Sequence, residues 1–306
     1  FSKAVPELPN TMIDLIKLGQ SGLDQAKFAF KSAKDGTQIP LADVTLKAPI
    51  PEPLRDVMAV GRNYHEHAKE FHDSGFDATA GKTAVPDDPI IFSKATTSVS
   101  GPYDPIPSYL DFSNSTDYEG ELAVIIGKTG RSISKADAFD HIYGYSTSND
   151  VTARTLQHRY KQWFIGKSLD GYCPMGPVLL TADEAGDPNT FYLRTEVNGE
   201  LRQESSCSEL IFDIPTLVET ISAGITLLPG DIIITGTPAG VGIGFDPPVF
   251  LKNGDVVKVT IDPIGIPLRS LNAAIDFLAR VVTGRCPVIR LNSSAPISII
   301  LTFSAA

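Results

Sequence analysis

In the segment DYEGELAVII, Glu119 and Glu121 stand two residues apart and are followed at once by an apolar run. On a β-strand that spacing turns both carboxylates to one face. Two like charges beside apolar residues are unfavourable unless a cation neutralises them. A third carboxylate, Asp150, closes a second β-type run, HIYGYSTSND. Three carboxylates converging from two strand ends would make an oxygen-only site. Such a site suits Mg2+ or Mn2+, with Ca2+ a further option, rather than zinc or copper. The same residues admit plainer readings: Glu-x-Glu also fits a solvated edge strand, and Asp150 fits a helix N-cap.

A second constellation is NYHEHAKE. If it is helical, His67 and Glu70 share a face three residues apart. A carboxylate beside an imidazole fixes its tautomer and raises its basicity, as a general base requires, although a surface His–Glu pair has the same spacing. His65, His72, His141 and His158 have no partner at such a spacing and read as structural. Positive charge and backbone donors come from two glycine-rich stretches, GKSLDGYCPMGP with Lys167 and Asp170, and TGTPAGVG with Thr237. The second follows a strand yet lacks both the Walker Lys-Ser/Thr ending and the Rossmann spacing, so it reads as a carboxylate-binding loop. The nearby serines carry no nucleophile-elbow sequence.

The elements that must position these groups follow from apolar spacing. MIDLIKLG has helical periodicity, and LADVTLKAPIPEP alternates before a proline-rich link. DVMAVGRNYHEHAKEF reads as a strand, a turn at Gly61 and a helix from near Asn63. Residues 75–117 read as long loops around the run PIIFSKA. YEGELAVIIGK and HIYGYSTSND are strands, and DVTARTLQHRYKQW is a helix capped by Asn149 or Asp150. Asn198-Gly199 in TEVNGELRQ marks a type I′ hairpin. DIPTLVETISAGITL is a helix closed by Gly224, LLPGDIIITGTPAGVG a strand entering a glycine loop, and GDVVKVTID one more strand. Strands joined by irregular loops predict a β-rich α+β fold rather than a doubly wound sheet. The expected organisation is a small N-terminal domain over 1–54, a catalytic domain over 55–270 and an atypical tail over 271–306.

A formal charge of −10 with a pI near 5.0 argues against a nucleic-acid partner. No apolar run approaches the roughly 20 residues of a membrane span. Cys173, Cys207 and Cys286 are odd in number and far apart, which predicts reduced thiols and a cytoplasmic or mitochondrial rather than secreted protein. The chain opens at Phe1, so an earlier targeting segment is not visible.

Taken in order, VGRNYHEHAKE, PIIFSKATTSVSGP, DYEGELAVIIG, NDVTARTLQ, KQWFIGKSLDGYCPMGP and PGDIIITGTPAGVG resemble the fumarylacetoacetate hydrolase family over about residues 55–270. The resemblance implies that family's mixed β-sandwich roll, a Mg2+ or Mn2+ held by Glu119, Glu121 and Asp150, and a homodimer. It implies catalytic roles for His67, Glu70 and Lys167, and substrate contacts from Arg154, Thr237, Lys94 and Gln157. The implied activity is hydrolysis of a carbon–carbon bond in an acylpyruvate-type 2-oxo acid through a metal-bound enolate, with His67 activating water. The same core would serve oxaloacetate decarboxylation, keto–enol tautomerisation or oxo-dienoate hydration, and a non-catalytic binding member is a further alternative. Two departures stand out. Thr155 replaces the family's usual aspartate, and IGIPLRS replaces a terminal strand like Ile-Gly-Thr-Leu-Arg-Asn, with Pro267 removing a ladder donor. Residues 271–306 match no family motif, and ISIILTF within them is an aggregation hazard if exposed.

Overall fold

The computed structural model describes residues 8–32, 44–76 and 83–264, and the backbone of 277–280. Thr11 opens the first helix, α1 (Met12–Lys17), by accepting the Asp14 amide on its hydroxyl at 3.1 Å. Helix α2 (Gly19–Ser32) follows, and both bury one apolar face. Strand β1 (Val57–Gly61), helix α3 (His65–Asp73), strands β2 (Ile90–Lys94), β3 (Val99–Ser100) and β4 (Thr116–Asp117) lead into β5 (Gly120–Ile126). Then come β6 (Ile142–Asn149), β7 (Thr152–Ala153), the helices α4 (Arg154–Tyr160) and α5 (Phe164–Lys167), β8 (Cys173–Pro174), β9 (Leu180–Thr181) and α6 (Ala182–Ala185). The last described elements are β10 (Tyr192–Val197), β11 (Glu200–Ser206), α7 (Ile214–Ser222), β12 (Ile232–Ile234), β13 (Val256–Asp262) and β14 (Phe277–Arg280).

A six-stranded sheet has the order β2-β1-β12-β5-β6-β9, and a four-stranded sheet the order β11-β10-β13-β14. In the larger sheet β1 and β12 run parallel and the other pairs antiparallel. Strand β5 lies inside this sheet with both faces covered. Leu122, Val124 and Ile126 pack with Leu193 and Ile261 of the second sheet and with Leu217, Val218 and Ile221 of α7. The alternate residues Ala123 and Ile125 pack with Met12, Ile16 and Leu23 of the N-terminal helices. Double-sided burial explains why β5 reads as a continuous apolar run rather than an alternation. Each large aliphatic side chain so buried contributes about 1.5–3 kcal/mol. The N-terminal helices therefore share one hydrophobic cluster with the main sheet.

The β-rich α+β architecture agrees with the sequence, and the Asn198-Gly199 hairpin has positive φ at both residues, 53° and 82°. Several local expectations are corrected. Helix α3 starts at His65, two residues past Asn63, whose side chain is spent on the Phe212 and Thr235 carbonyls at 3.1 and 2.8 Å. Asp150 is not an N-cap, since Thr152 and Ala153 first pair with Thr116 and Asp117 and α4 begins only at Arg154. Helix α7 ends at Ser222 with Ala223 as its right-handed C-cap, and Gly224 follows without a positive φ. Residues 44–48 of the alternating LADVTLKAPIPEP run form no strand; Ala48 and Ile50 are simply buried against the core. Within the region read as a tail, Phe277–Arg280 adds a strand beside β13. Pro267, Cys286 and ISIILTF lie outside the described residues. Among the described residues no helix is long and apolar enough to cross a membrane.

Candidate active site

Strands β5 and β6 bring the acids together. Gly120 pairs with Asn149, so Glu119 and Glu121 on one strand end sit beside Asp150 on the other. The Glu119 amide donates to the Asn149 side chain at 2.9 Å, and the Asp150 amide to the Glu119 carbonyl at 2.8 Å. Gly120 is required there, since a Cβ would collide with Thr195 of the second sheet. One carboxylate oxygen from each acid lies within 4.8 Å of the other two, and all three side chains are buried.

Three cations answer them. Lys167 Nζ bridges Glu119 at 2.7 Å and Asp150 at 2.6 Å, and Lys94 Nζ meets the other Asp150 oxygen at 2.6 Å. Arg154 meets Glu119 at 2.7 Å and, through Nε, Asp117 at 2.9 Å. Burial alone would raise the Glu119 carboxyl, but Lys167, then Arg154 and His67, outweigh it and hold Glu119 at about 2. Burial likewise opposes charge on Lys167, and Asp150 and Glu119 overcome it, leaving the ammonium above its ordinary range. Glu121 is the exception. It is 1% exposed and accepts the Gly236 amide at 2.7 Å. Burial, then Asp150 and Glu119, push its carboxyl well above the usual range. An all-oxygen, buried triad with one under-neutralised carboxylate fits a hard divalent cation.

The His67–Glu70 pair is formed within α3: His67 Nδ1 lies 3.1 Å from Glu70 Oε2, and Glu70 Oε1 accepts the Gly240 amide at 2.9 Å. His67 is 4% exposed and lines the same cleft as Glu119, Glu121, Arg154, Gln157, Lys167 and Thr237, with about 270 Å³ of open space. Gln157 Oε1 accepts from Arg154 at 3.2 Å. The Thr237 hydroxyl donates to the Gly120 carbonyl at 2.9 Å and accepts from Gln203 at 2.8 Å, so it braces β5. Lys94 is set behind Asp150 and does not line the cleft; its ammonium also reaches the Val151 carbonyl at 3.2 Å and the Lys167 carbonyl. Asp170 likewise stays off the cleft wall. Of the histidines set aside in the sequence, His141 pairs with the Lys128 carbonyl at 3.0 Å and His158 packs edge-on to Phe76.

Three lining or bracing residues were missed. Asp117 stands at the same two-residue spacing before Glu119 that links Glu119 to Glu121, so strand parity would have found it. Trp163, left-handed at φ 61°, seats its ring on Gly61, where a Cβ would collide with it. It stacks edge-on to Phe71 and Phe92 at 5.8 and 5.2 Å and starts the short helix that ends in Lys167. Arg62 also lines the cleft and donates to the Thr83 carbonyl at 3.0 Å. Nothing in single-sequence spacing marks these last two.

A β-rich fold thus brings an all-oxygen carboxylate triad and a buried histidine, braced by Glu70, to one cleft. The profile described as fumarylacetoacetate (FAA) hydrolase C-terminal matches residues 56–270, and the chain belongs to that family. It is 46% identical over 264 residues to oxaloacetate tautomerase YisK of Bacillus subtilis, covering 84% of this chain and 85% of that protein. Among solved structures, fumarylacetoacetate hydrolase (EaFAH) from psychrophilic Exiguobacterium antarcticum is 41% identical with a TM-score of 0.73, covering 92% and 91% of the two chains. Maleylpyruvate hydrolase from Sphingobium sp. SYK-6, in complex with manganese(II) and pyruvate, is 34% identical with a TM-score of 0.68, covering 89% and 85%.

Proposed function

We propose that the protein enolises a small 2-oxo acid with a divalent metal, and that keto–enol tautomerisation of an oxaloacetate-like diacid is its reaction. The observation that carries this reading is the cleft in which His67, braced by Glu70, is brought together with the carboxylates and Arg154. Glu119, Glu121 and Asp150 would hold Mg2+ or Mn2+, which when bound supplies electrophilic stabilisation of negative charge on the 2-oxo oxygen. Arg154 would hold a substrate carboxylate, since its second terminal nitrogen is buried without a hydrogen-bond partner among the described residues. His67, its Nδ1 engaged by Glu70, keeps Nε2 for the proton that leaves or returns at C3. Lys167 offers positive charge beside the triad. Phe71, Phe92 and Trp163 give the cleft an aromatic wall. The similarity to the B. subtilis oxaloacetate tautomerase supports the choice of tautomerisation.

Hydrolysis of an acylpyruvate is the second reading, supported by the same dyad as a base for water and by the likeness to maleylpyruvate hydrolase. A panel of oxaloacetate and several acylpyruvates, followed by enol absorbance and by pyruvate release, separates the two. Fast enol–keto exchange with slow pyruvate release supports tautomerisation, and the reverse supports hydrolysis. Neither activity in metal-loaded protein sinks both and leaves a binding role.

A further inference from the structure

Asp117 has no role in the chemistry above, yet it is buried and each of its oxygens accepts two N–H groups. Oδ1 takes the Gly242 amide at 2.7 Å and the Tyr118 amide at 2.8 Å. Oδ2 takes Arg154 Nε at 2.9 Å and the Ile243 amide at 3.2 Å. Two residues before Gly242, the Gly240 amide donates to Glu70 Oε1 at 2.9 Å, and the other Glu70 oxygen holds His67 Nδ1 at 3.1 Å. Gly244 lies so close to Glu70 that a Cβ there would collide with the carboxylate. The Tyr118 hydroxyl fastens the Gly240 carbonyl at 2.8 Å. A single hydrogen-bonded path thus runs from the Arg154 guanidinium through Asp117 and the 240–244 turn to the His67 imidazole.

We propose that Asp117 is a positioning residue that couples Arg154 to the 240–244 turn, so that the anion-binding side chain and the His67–Glu70 pair are set in register by one buried carboxylate. Only a carboxylate satisfies this site, because all its neighbours on the path are donors. An asparagine offers one oxygen, and its amide nitrogen would face at least two N–H groups. Released from Nε, the guanidinium keeps only its Glu119 and Gln157 contacts, and the turn that receives Glu70 loses its anchor.

The inference rests on Arg154 and His67 sharing the working cleft, and its first readout needs no turnover. In the full chain carrying Asp117→Asn, amide hydrogen exchange should rise about tenfold or more in 240–244 and in the helix 65–73, while β5, β6, β10 and β13 stay protected. Oxalate, used as the anionic probe on Mn2+-loaded protein, should bind about 10- to 100-fold more weakly in Asp117→Asn but within about threefold of the single variant when Asp117→Asn is added to Arg154→Met. Coupling is reciprocal, so Arg154→Met alone should loosen the same two segments, which decides the matter even if Asp117→Asn does not fold. A rise in exchange spread evenly over both sheets would reduce Asp117 to a core residue. Unchanged exchange at 65–73 in Arg154→Met, or equal oxalate penalties in both backgrounds, would overturn the coupling. Failure of the tautomerase reading looks different: the parent turns over no oxaloacetate while the local exchange pattern persists.

Discussion

Glu70→Gln is the perturbation whose consequence follows most directly from the geometry. Glu70 uses one oxygen for His67 Nδ1 at 3.1 Å and the other for the Gly240 amide at 2.9 Å. A glutamine has one oxygen for two donors. If that oxygen keeps Gly240, the amide NH2 faces His67 Nδ1 and forces the proton onto Nε2, the nitrogen that must accept one. If it keeps His67, the NH2 opposes the Gly240 N–H and the turn moves. Either way one charge-assisted hydrogen bond is lost, about 1.5–3 kcal/mol, equivalent to a kcat lower by about 10- to 150-fold. The assay is enol–keto exchange of oxaloacetate by Mn2+-loaded protein, with kcat and KM separated and bound metal measured. A kcat within about threefold of the parent, with full metal occupancy, would refute the orienting role of Glu70.

Other expectations follow from the same site. His67→Ala should cost proton transfer about 10²- to 10⁴-fold with metal binding intact, read as kcat beside a Mn2+ titration. Glu121 is raised in the folded chain, by burial first and then by Asp150 and Glu119, so the folded state holds its proton to higher pH than the unfolded one. Metal-free protein should therefore lose stability as pH rises above the ordinary 4.5 of a glutamate, and Glu121→Gln should flatten that loss while abolishing stabilisation by Mn2+, both visible in thermal melts. Gly61→Ala places a methyl against the Trp163 ring, so it should cost about 1–3 kcal/mol and shift the fluorescence of the chain's single tryptophan. Light scattering is expected to give twice the 32.8 kDa chain mass, the homodimer the family resemblance implies.

Much of this site could be read in the sequence because its chemistry is written in short spacings. Glu119 and Glu121 two apart, and His67 and Glu70 three apart, each declare a shared face once the element type is known. The apolar run after Glu121 also marked a buried strand, and β5 is buried from end to end. What stayed hidden depends on contacts between segments distant in the chain. Asn63 pairs with 212 and 235, and the helix starts two residues past it. Asp150 looked like a cap because a carboxylate before a helical pattern usually is one, and the Lys94 and Lys167 partners that claim it lie 56 and 17 residues away. Trp163 adopts a left-handed backbone that its own type disfavours, and only its seat on Gly61 explains why it is held there.

The central claim is that the Glu119, Glu121 and Asp150 triad runs enolate chemistry through a divalent ion. Its most direct test is a titration of chelated protein with Mn2+, following bound metal and oxaloacetate enol–keto exchange together, in the parent and in Asp150→Ala. The account predicts no exchange above background in the chelated parent, activity that rises with one bound Mn2+ per chain, and neither binding nor exchange in Asp150→Ala. Full exchange in the chelated parent, or undiminished exchange in the variant, would contradict it.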